Sequence, residues 1–286
     1  EILSPARLAV MKKGDALKES LKGFYKDYNM PTDRRVAKRM FQIVKENCKE
    51  LPSVFADVID KQFGGNTDAY VDYIIEEVLP HIREEHSVTF CDVFCEQGVF
   101  SIEQSERLLN AARTHRFKLK LHADEIVSFG GAELAARLKA VSADHLLHIS
   151  DNGIKRLARS GTIATLLPLT AFSLNEPYAP GRQRIDADCA VALASDLNPG
   201  SCFSCSIPLL FALACIQMKL SPEEALTALT INGAAALGRA KKIGSIDVGK
   251  KADMILLKFP SYKFLPYHVG MNLVDTVIKD GVLYIV

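Results

Sequence analysis

The chain has 286 residues, 48% of them apolar, which is enough for one α/β domain with a sizeable buried core and a small appendage. Its 35 basic and 34 acidic side chains balance, and basic patches such as Arg239 to Lys242 are short, so neither nucleic acid nor a membrane surface is an expected partner. Seven cysteines, an odd number spread from Cys48 to Cys215, suit free thiols in a reducing compartment and point to the cytoplasm. Apolar runs such as Pro208 to Ile216 fall short of a membrane span. The start, Glu1-Ile2-Leu3-Ser4, has neither region of a signal peptide, and a first residue other than methionine leaves room for a longer gene product.

In chain order, Arg35 to Leu51 places Val36, Met40, Ile43 and Val44 at near-helical spacing, and Tyr70 to Glu85 reads as a second amphipathic helix. Val88 to Cys95 has the β-branched, aromatic and apolar content of a buried parallel strand. Ser101 to Arg113 is an expected helix opened by Ser101, and Lys118 to His122 a strand running into His-Ala-Asp-Glu. Gly131 to Leu138 reads as helix, Ser142 to Leu147 as a short strand ending near His145, and Asn152 to Ser160 as helix. Thr162 to Leu167 reads as strand, Ile185 to Asp188 as a turn, and Ala190 to Ser195 as a strand ending on Asp196. Helices follow over Pro208 to Leu220 and over Ser221 to Leu237, the latter opened by Ser221-Pro222-Glu223-Glu224. From Gly244 to Val286 the texture changes to short strands, Ala252 to Leu257, Asp275 to Ile278 and Val282 to Val286. The Lys279-Asp280-Gly281 turn predicts a hairpin between the last two.

Repeated strand–helix alternation means parallel strands with crossover helices. No Gly-rich dinucleotide fingerprint opens a helix, and polar residues gather at the C-terminal ends of several strands. That favours a barrel over a doubly wound sheet.

The chemistry-bearing candidates lie at those strand ends. His122 and Glu125 follow the second strand: a neutral imidazole suits zinc or iron, and a nearby carboxylate can move a proton at a ring nitrogen, although His122 alone is equally a hydrogen-bonded structural histidine. His145 ends the next strand and would project from the same rim, or be a core histidine bonded to backbone; His148 reads as structural. A carboxylate ending a buried strand is costly unless paired or bound to a cation, which singles out Asp196, with a helix N-cap as its rival role. Behind it Asn198-Pro199-Gly200-Ser201 offers backbone N–H groups and a hydroxyl to an anionic substrate group. Cys202 and Cys205 have redox or zinc spacing but no second pair, and read better as buried small residues. His81, His86, His115 and His268 are expected in solvent. A serine elbow, a P-loop and a kinase signature are all absent from the sequence.

The ordered set His-Ala-Asp-Glu (122–125), Ser-Ala-Asp-His (142–145), Ala-Thr-Leu-Leu-Pro (164–168) and Ser-Asp-Leu-Asn-Pro-Gly-Ser (195–201) resembles the imidazolonepropionases of the amidohydrolase superfamily. Asp92-Val93-Phe94-Cys95-Glu96 looks like the same family's preceding strand. Gly244 to Asp253 is similar to the motif with which amidohydrolases enter a composite β-sandwich. The resemblance runs from about Tyr70 to the C-terminus. It implies an α/β fold, a (β/α)8 TIM-type barrel incomplete at its N-terminus over 1–240, with C-terminal strands of the sandwich over 241–286. It further implies hydrolysis of 4-imidazolone-5-propanoate to N-formimidoyl-L-glutamate with one divalent metal, Zn or Fe. His122 and Asp196 would be metal ligands, and Asp196 would take a proton from water. Glu125 would hold or protonate the substrate ring, His145 would stabilise the oxyanion or the water, and Asn198, Gly200 and Ser201 would contact the substrate. A small-molecule substrate and a second copy of the chain are the partners expected.

The chain departs from the family in lacking two histidines at the His-x-His spacing of the first barrel strand, and in having Phe55-Ala56-Asp57-Val58 where the family has Ala-His-Ala. A fragment starting after the first strand and a diverged, catalytically impaired paralogue both fit. Another amidohydrolase, acting on an aminopurine or a cyclic imide, is the enzyme alternative.

Overall fold

The computed structural model describes residues 62–85 and 88–285. The helix expected over Arg35 to Leu51, the Phe55 to Val58 segment and His86 lie outside the described residues. Two compact units form: one holds residues 62–73 and 198–203 of those described, and the other 74–197 and 204–285.

In the smaller unit α1 (Thr67–Tyr73) follows Phe63, whose ring centroid lies 5.1 Å from that of Tyr70 and 5.6 Å from that of Tyr73. A wider π turn (Ile74–Val78) and then α2 (Leu79–Glu85) come next in the chain. The helix expected over Tyr70 to Glu85 is therefore three pieces rather than one.

The larger unit is built on five parallel strands, β1 (Phe90–Cys95), β2 (Lys118–Ala123), β3 (Ser142–His145), β4 (Ile163–Leu166) and β5 (Val191–Leu193). They pair in sequence order, β1-β2-β3-β4-β5, without the reversal that defines a doubly wound sheet. This is the strand order of a barrel arc. Each connection carries helix: α3 (Ile102–Thr114), α4 (Gly131–Arg137), α5 (Asp151–Ser160), then α6 (Pro168–Leu174) and α7 (Gly181–Asp186). α3 starts where the sequence says it should, because Ser101 accepts from Gln104 N while the Gln104 side chain accepts from Ser101 N. α5 is bounded by Ser150 at its N-cap and by Gly161 in the left-handed region at its end.

Strand alternation divides β2 into two rows. Leu119, Leu121 and Ala123 are buried on the face that packs against α3 and α4, while Lys120 and His122 lie on the other. Register aligns that second row across the sheet: Asp92 opposite Lys120, Phe94 opposite His122, Lys120 opposite Ser142, and His122 opposite Asp144. Its polar members pair with one another. Lys120 Nζ donates to Ser142 Oγ (2.5 Å) and lies 3.5 Å from Asp144 Oδ2, and Ser142 Oγ donates to Asp144 Oδ1 (2.7 Å).

Two departures from the sequence reading concern helices. Ile185 and Asp186, expected in a turn, close α7, because Ala187 N completes a helical bond to Gln183 O and the preceding Arg184 is wholly buried. The helix expected over Ser221 to Leu237 splits into α9 (Pro222–Thr227), a π turn (Ala228–Asn232) and α10 (Gly233–Ala236). The wider turn lets Asn232 Nδ2 donate to Val191 O of β5 (2.8 Å). The helix before them, α8, runs Ile207–Ile216, shorter than Pro208 to Leu220 at its C-terminal end.

The tail forms an antiparallel sheet of β6 (Met254–Leu257), β7 (Val274–Lys279) and β8 (Val282–Ile285), with a short helix α11 (Phe264–Tyr267) between β6 and β7. The expected β7–β8 hairpin is present. Among the described residues, no helix is long and apolar enough to cross a membrane.

Candidate functional site

Three strand ends carry the chemistry. β2 delivers His122 and then turns sharply at Asp124, whose φ is +50°. That turn is held by Asp124 itself, which is fully buried: Oδ1 accepts from the N–H groups of Phe129, Gly130 and Gly131, and Oδ2 from Ala132 N (2.8 to 3.2 Å). A carboxylate so placed satisfies the first N–H groups of α4. Gly131 makes the close approach possible, since a Cβ there would come within 2.8 Å of Ala123 Cβ. Next in the chain, the backbone N–H groups of Glu125 and Ile126 donate to Glu96 Oε2 at 2.7 and 3.0 Å, and Glu96 is also fully buried. Two buried carboxylates thus set the loop that presents Glu125.

β3 ends differently. His145 and Leu146 both have positive φ, +72° and +62°, a conformation costly for residues with side chains. The kink departs from strand alternation and brings the His145 ring to 5.0 Å from that of His122, centroid to centroid, with Nδ1 3.3 Å from Glu125 Oε1. His145 is 3% exposed, and its Nε2 makes no hydrogen bond among the described residues. His148, read as structural, donates its backbone N–H to Asp124 O.

His122 Nδ1 lies 2.9 Å from Asp92 Oδ2 on β1. In the neutral ring, a carboxylate on one nitrogen favours the proton there and leaves Nε2 with the lone pair. The charge states diverge. Burial pulls the His122 imidazole down, but Asp92, with Asp144 and Glu125 behind it, outweighs that and pushes it up to about 9. Burial, reinforced by His122, holds His145 down at about 3. Burial pushes the Glu125 carboxyl up to about 7, with His122 opposing and Asp196, Glu96 and Glu176 adding to the rise.

Asp196 lies three residues past β5, half-buried, with φ +52°. It does not cap the next helix, α8, whose cap is Ser206. Instead its Oδ2 accepts from Thr170 Oγ1 of α6 at 2.7 Å. Thr170, Glu125 and His145 line one cavity of about 180 Å³ together with Leu147, Leu174 and Glu176.

Asn198, Gly200 and Ser201 belong to the smaller unit, where they form a closed turn. Asn198 Oδ1 accepts from Gly200 N and Ser201 N, both at 2.8 Å, and Asn198 Nδ2 donates to Ser201 Oγ at 2.9 Å. Within this turn the two N–H groups read as an anion cradle are engaged by the turn's own asparagine. Cys202 is buried and Cys205 exposed, and Cys205, Cys91, Cys95, Cys189 and Cys215 are free thiols. His268, expected in solvent, is half-buried and stacks on Phe259 with centroids 4.9 Å apart.

Among the described residues, no group of three or more His, Cys, Asp or Glu side chains is arranged to hold a metal ion. The donors are nevertheless of the right kind for part of one. An imidazole oriented by a carboxylate, a second buried imidazole with an uncommitted nitrogen, and a strand-end carboxylate suit zinc or iron, provided other donors complete the set.

Sequence reasoning missed Asp92, Glu96, Asp124, Thr170 and Arg184 as residues of consequence. Their common signal is a polar side chain within or beside an apolar run, legible only as an oddity until a partner is known.

Comparison with known proteins places this geometry. Residues 98–284 match the model of the amidohydrolase family. The chain is 80% identical over 229 residues to the imidazolonepropionase of Parabacteroides distasonis, covering 80% of this chain and 55% of that protein. It is 54% identical over 265 residues to that of Clostridium tetani, covering 92% of this chain and 63% of the relative. The chain thus spans about half to two thirds of the length of these curated relatives. An adenosine deaminase from Xanthomonas campestris, solved with bound zinc, shares the fold at a TM-score of 0.60 and 22% identity, over 74% of this chain and 55% of the other. The sequential parallel arc, the strand-end His122, His145 and Asp196, and these matches together establish that the chain belongs to the amidohydrolase family.

Proposed function

We propose that the chain forms the strand-end catalytic portion of an imidazolonepropionase, which adds water across the cyclic amide of 4-imidazolone-5-propanoate to give N-formimidoyl-L-glutamate. The observation that carries this reading is the convergence of His122, Glu125 and His145 at adjacent strand ends, in a chain 80% identical over most of its length to a protein of that name.

His122, through Nε2, and Asp196 would hold one divalent metal, Zn or Fe, together with donors from outside the described residues. When bound, that ion supplies the Lewis acidity that makes water nucleophilic near neutral pH. Asp92 keeps His122 in the required tautomer, and the Thr170 hydroxyl fixes the rotation of the Asp196 carboxylate, which takes the proton of the attacking water. His145 stays neutral at working pH and donates an N–H to the oxygen on which negative charge develops. Glu125, held near neutral pH at the edge of ionisation, carries a proton to the ring nitrogen that leaves as the C–N bond breaks. The reaction adds one water and opens one ring. The free thiols fit a reducing, cytoplasmic setting, and a homodimer is the assembly we expect.

The test is zinc titration of the purified chain, followed by loss of the imidazolone chromophore with and without chelator. Turnover that needs metal and falls at least a hundredfold in His122→Ala is expected. Zinc binding of less than about a tenth of an equivalent, with no turnover, overturns the reading for this chain. Turnover of a cyclic imide or an aminopurine in preference to the imidazolone would reassign the substrate.

A further inference from the structure

Arg184 of α7 is fully buried, yet a single one of its nitrogens is engaged. Nη2 donates to the backbone carbonyl of Leu146, 38 residues earlier, while Nε and Nη1 have no partner among the described residues. Burial lowers its pKa to about 10, with Cys189 and Asp124 opposing, so the group remains charged at neutral pH. A buried guanidinium this poorly satisfied is a costly choice where an apolar side chain would fill the space.

Its one bond falls on a strained place. Leu146 and His145 are consecutive residues at positive φ, a conformation that persists only where the surroundings hold it. That kink turns the His145 ring towards His122 and Glu125. At the other end of the same residue, Leu146 N donates to Ala123 O at 3.0 Å, which ties the kink to the end of β2. The Leu146 side chain is itself fully buried. The kinked segment is therefore gripped at its N–H by β2 and at its carbonyl by Arg184.

We propose that Arg184 is a positioning residue of the active site: by holding the Leu146 carbonyl it keeps His145 in the left-handed conformation that aims its imidazole at the reacting atoms. The catalytic part of this rests on the function proposed above, whereas the conformational part does not. Arg184 touches no substrate, so its removal should slow the chemical step and leave ground-state binding nearly intact.

The experiment compares Arg184→Met, Arg184→Lys and wild type in the whole chain, at a temperature where all are folded by circular dichroism. It measures kcat and KM with zinc present, amide hydrogen exchange at Leu146, and the imidazole resonances of His145 in histidine-labelled protein without metal. Arg184→Met is expected to lose at least thirtyfold in kcat with KM within threefold, to exchange the Leu146 amide at least tenfold faster, and to shift the His145 resonances. Arg184→Lys, which keeps one donor of similar reach, should recover much of each change. In a His145→Ala background, Arg184→Met should cost less than a further twofold, because the residue it positions is gone. Unchanged exchange and resonances in a folded Arg184→Met protein overturn the proposal whatever the turnover. If that variant does not fold, Arg184→Lys decides: wild-type exchange at Leu146 beside an equal loss in His145→Ala and parent backgrounds sinks it. Should wild type itself show no turnover, the proposed function fails while the exchange and resonance arms still judge Arg184.

Discussion

The parallel arc and the small antiparallel sheet are both made of apolar strands, but their side chains have opposite fates. All four residues of β4 and all three of β5 are buried, and Leu121, Ala123 and Leu166 are wholly so. All four residues of β8 are exposed, Ile285 to 85%, and Ile255 and Leu256 of β6 are more than half exposed. β4 and β5 gain their stability from area removed from water on both faces. The small sheet relies on its ladder and on pairs such as Lys279 with Asp253, and Thr276 of β7 and Leu273 just before it are its buried members. A strand's hydrophobicity thus says little until something covers it.

Substitutions can break or sharpen that contrast. The largest effect expected is from Leu166→Ala, which should lower unfolding stability by about 2–5 kcal/mol, read from urea midpoints at constant slope. Asp124→Asn should follow, at about 2–3 kcal/mol, because a charged acceptor of four backbone N–H groups is replaced by a weaker one. Faster amide exchange from Phe129 to Ala132 would localise that loss. Ser101→Ala removes the capping box of α3 and should cost about 1 kcal/mol in the same assay. Leu283→Ala, by contrast, should stay within about 0.5 kcal/mol of wild type, since the side chain is 59% exposed already. A loss there comparable to that of Leu166→Ala would mean that the small sheet is covered after all.

The smallest effect concerns pH. Lys279 and the Asp280 N–H hold the Asp253 carboxyl below its ordinary range. A folded-state pKa that is depressed contributes stability above the unfolded value and loses it as pH falls through the folded one. Lys279→Ala should therefore be slightly less stable than wild type at neutral pH, and that difference should vanish as the pH drops below about 3.8, the ordinary value for Asp. A difference that grows in acid would contradict the ion pair.

Much of the arc was legible in the sequence. The sequence bounds of β1 to β5 fall within two residues of the observed ones: β4 and β5, buried throughout, leave a continuous apolar signal, while β2 shows in the alternation of Leu119, Leu121 and Ala123 with polar residues. The α3 capping box and the β7–β8 hairpin were equally legible, their chemistry being local. The breaks into π turns at Ile74–Val78 and Ala228–Asn232 were not, since the second of them answers to a carbonyl of β5 that helical periodicity does not contain. The end of α7, Ile185 and Asp186, was read as part of a turn, since the helix is anchored by Arg184, which is polar and yet buried.

The same division runs through the site. Residue type and strand-end position singled out His122, Glu125, His145 and Asp196, because a polar group that ends a buried strand announces a cost that something must offset. Which of them face one another, and in what charge state, was decided only in three dimensions. The left-handed kink at His145, the carboxylate of Asp92 on His122, the hydroxyl of Thr170 on Asp196 and the three fully buried charges Glu96, Asp124 and Arg184 all join residues 26 to 38 positions apart or shape a loop around a single side chain. The sequence by itself determined the barrel-type alternation and the strand-end chemistry, since both are written in local pattern. Orientation and proton affinity depend on partners distant in the chain and on the exclusion of water, and those exist only once the strands have come together.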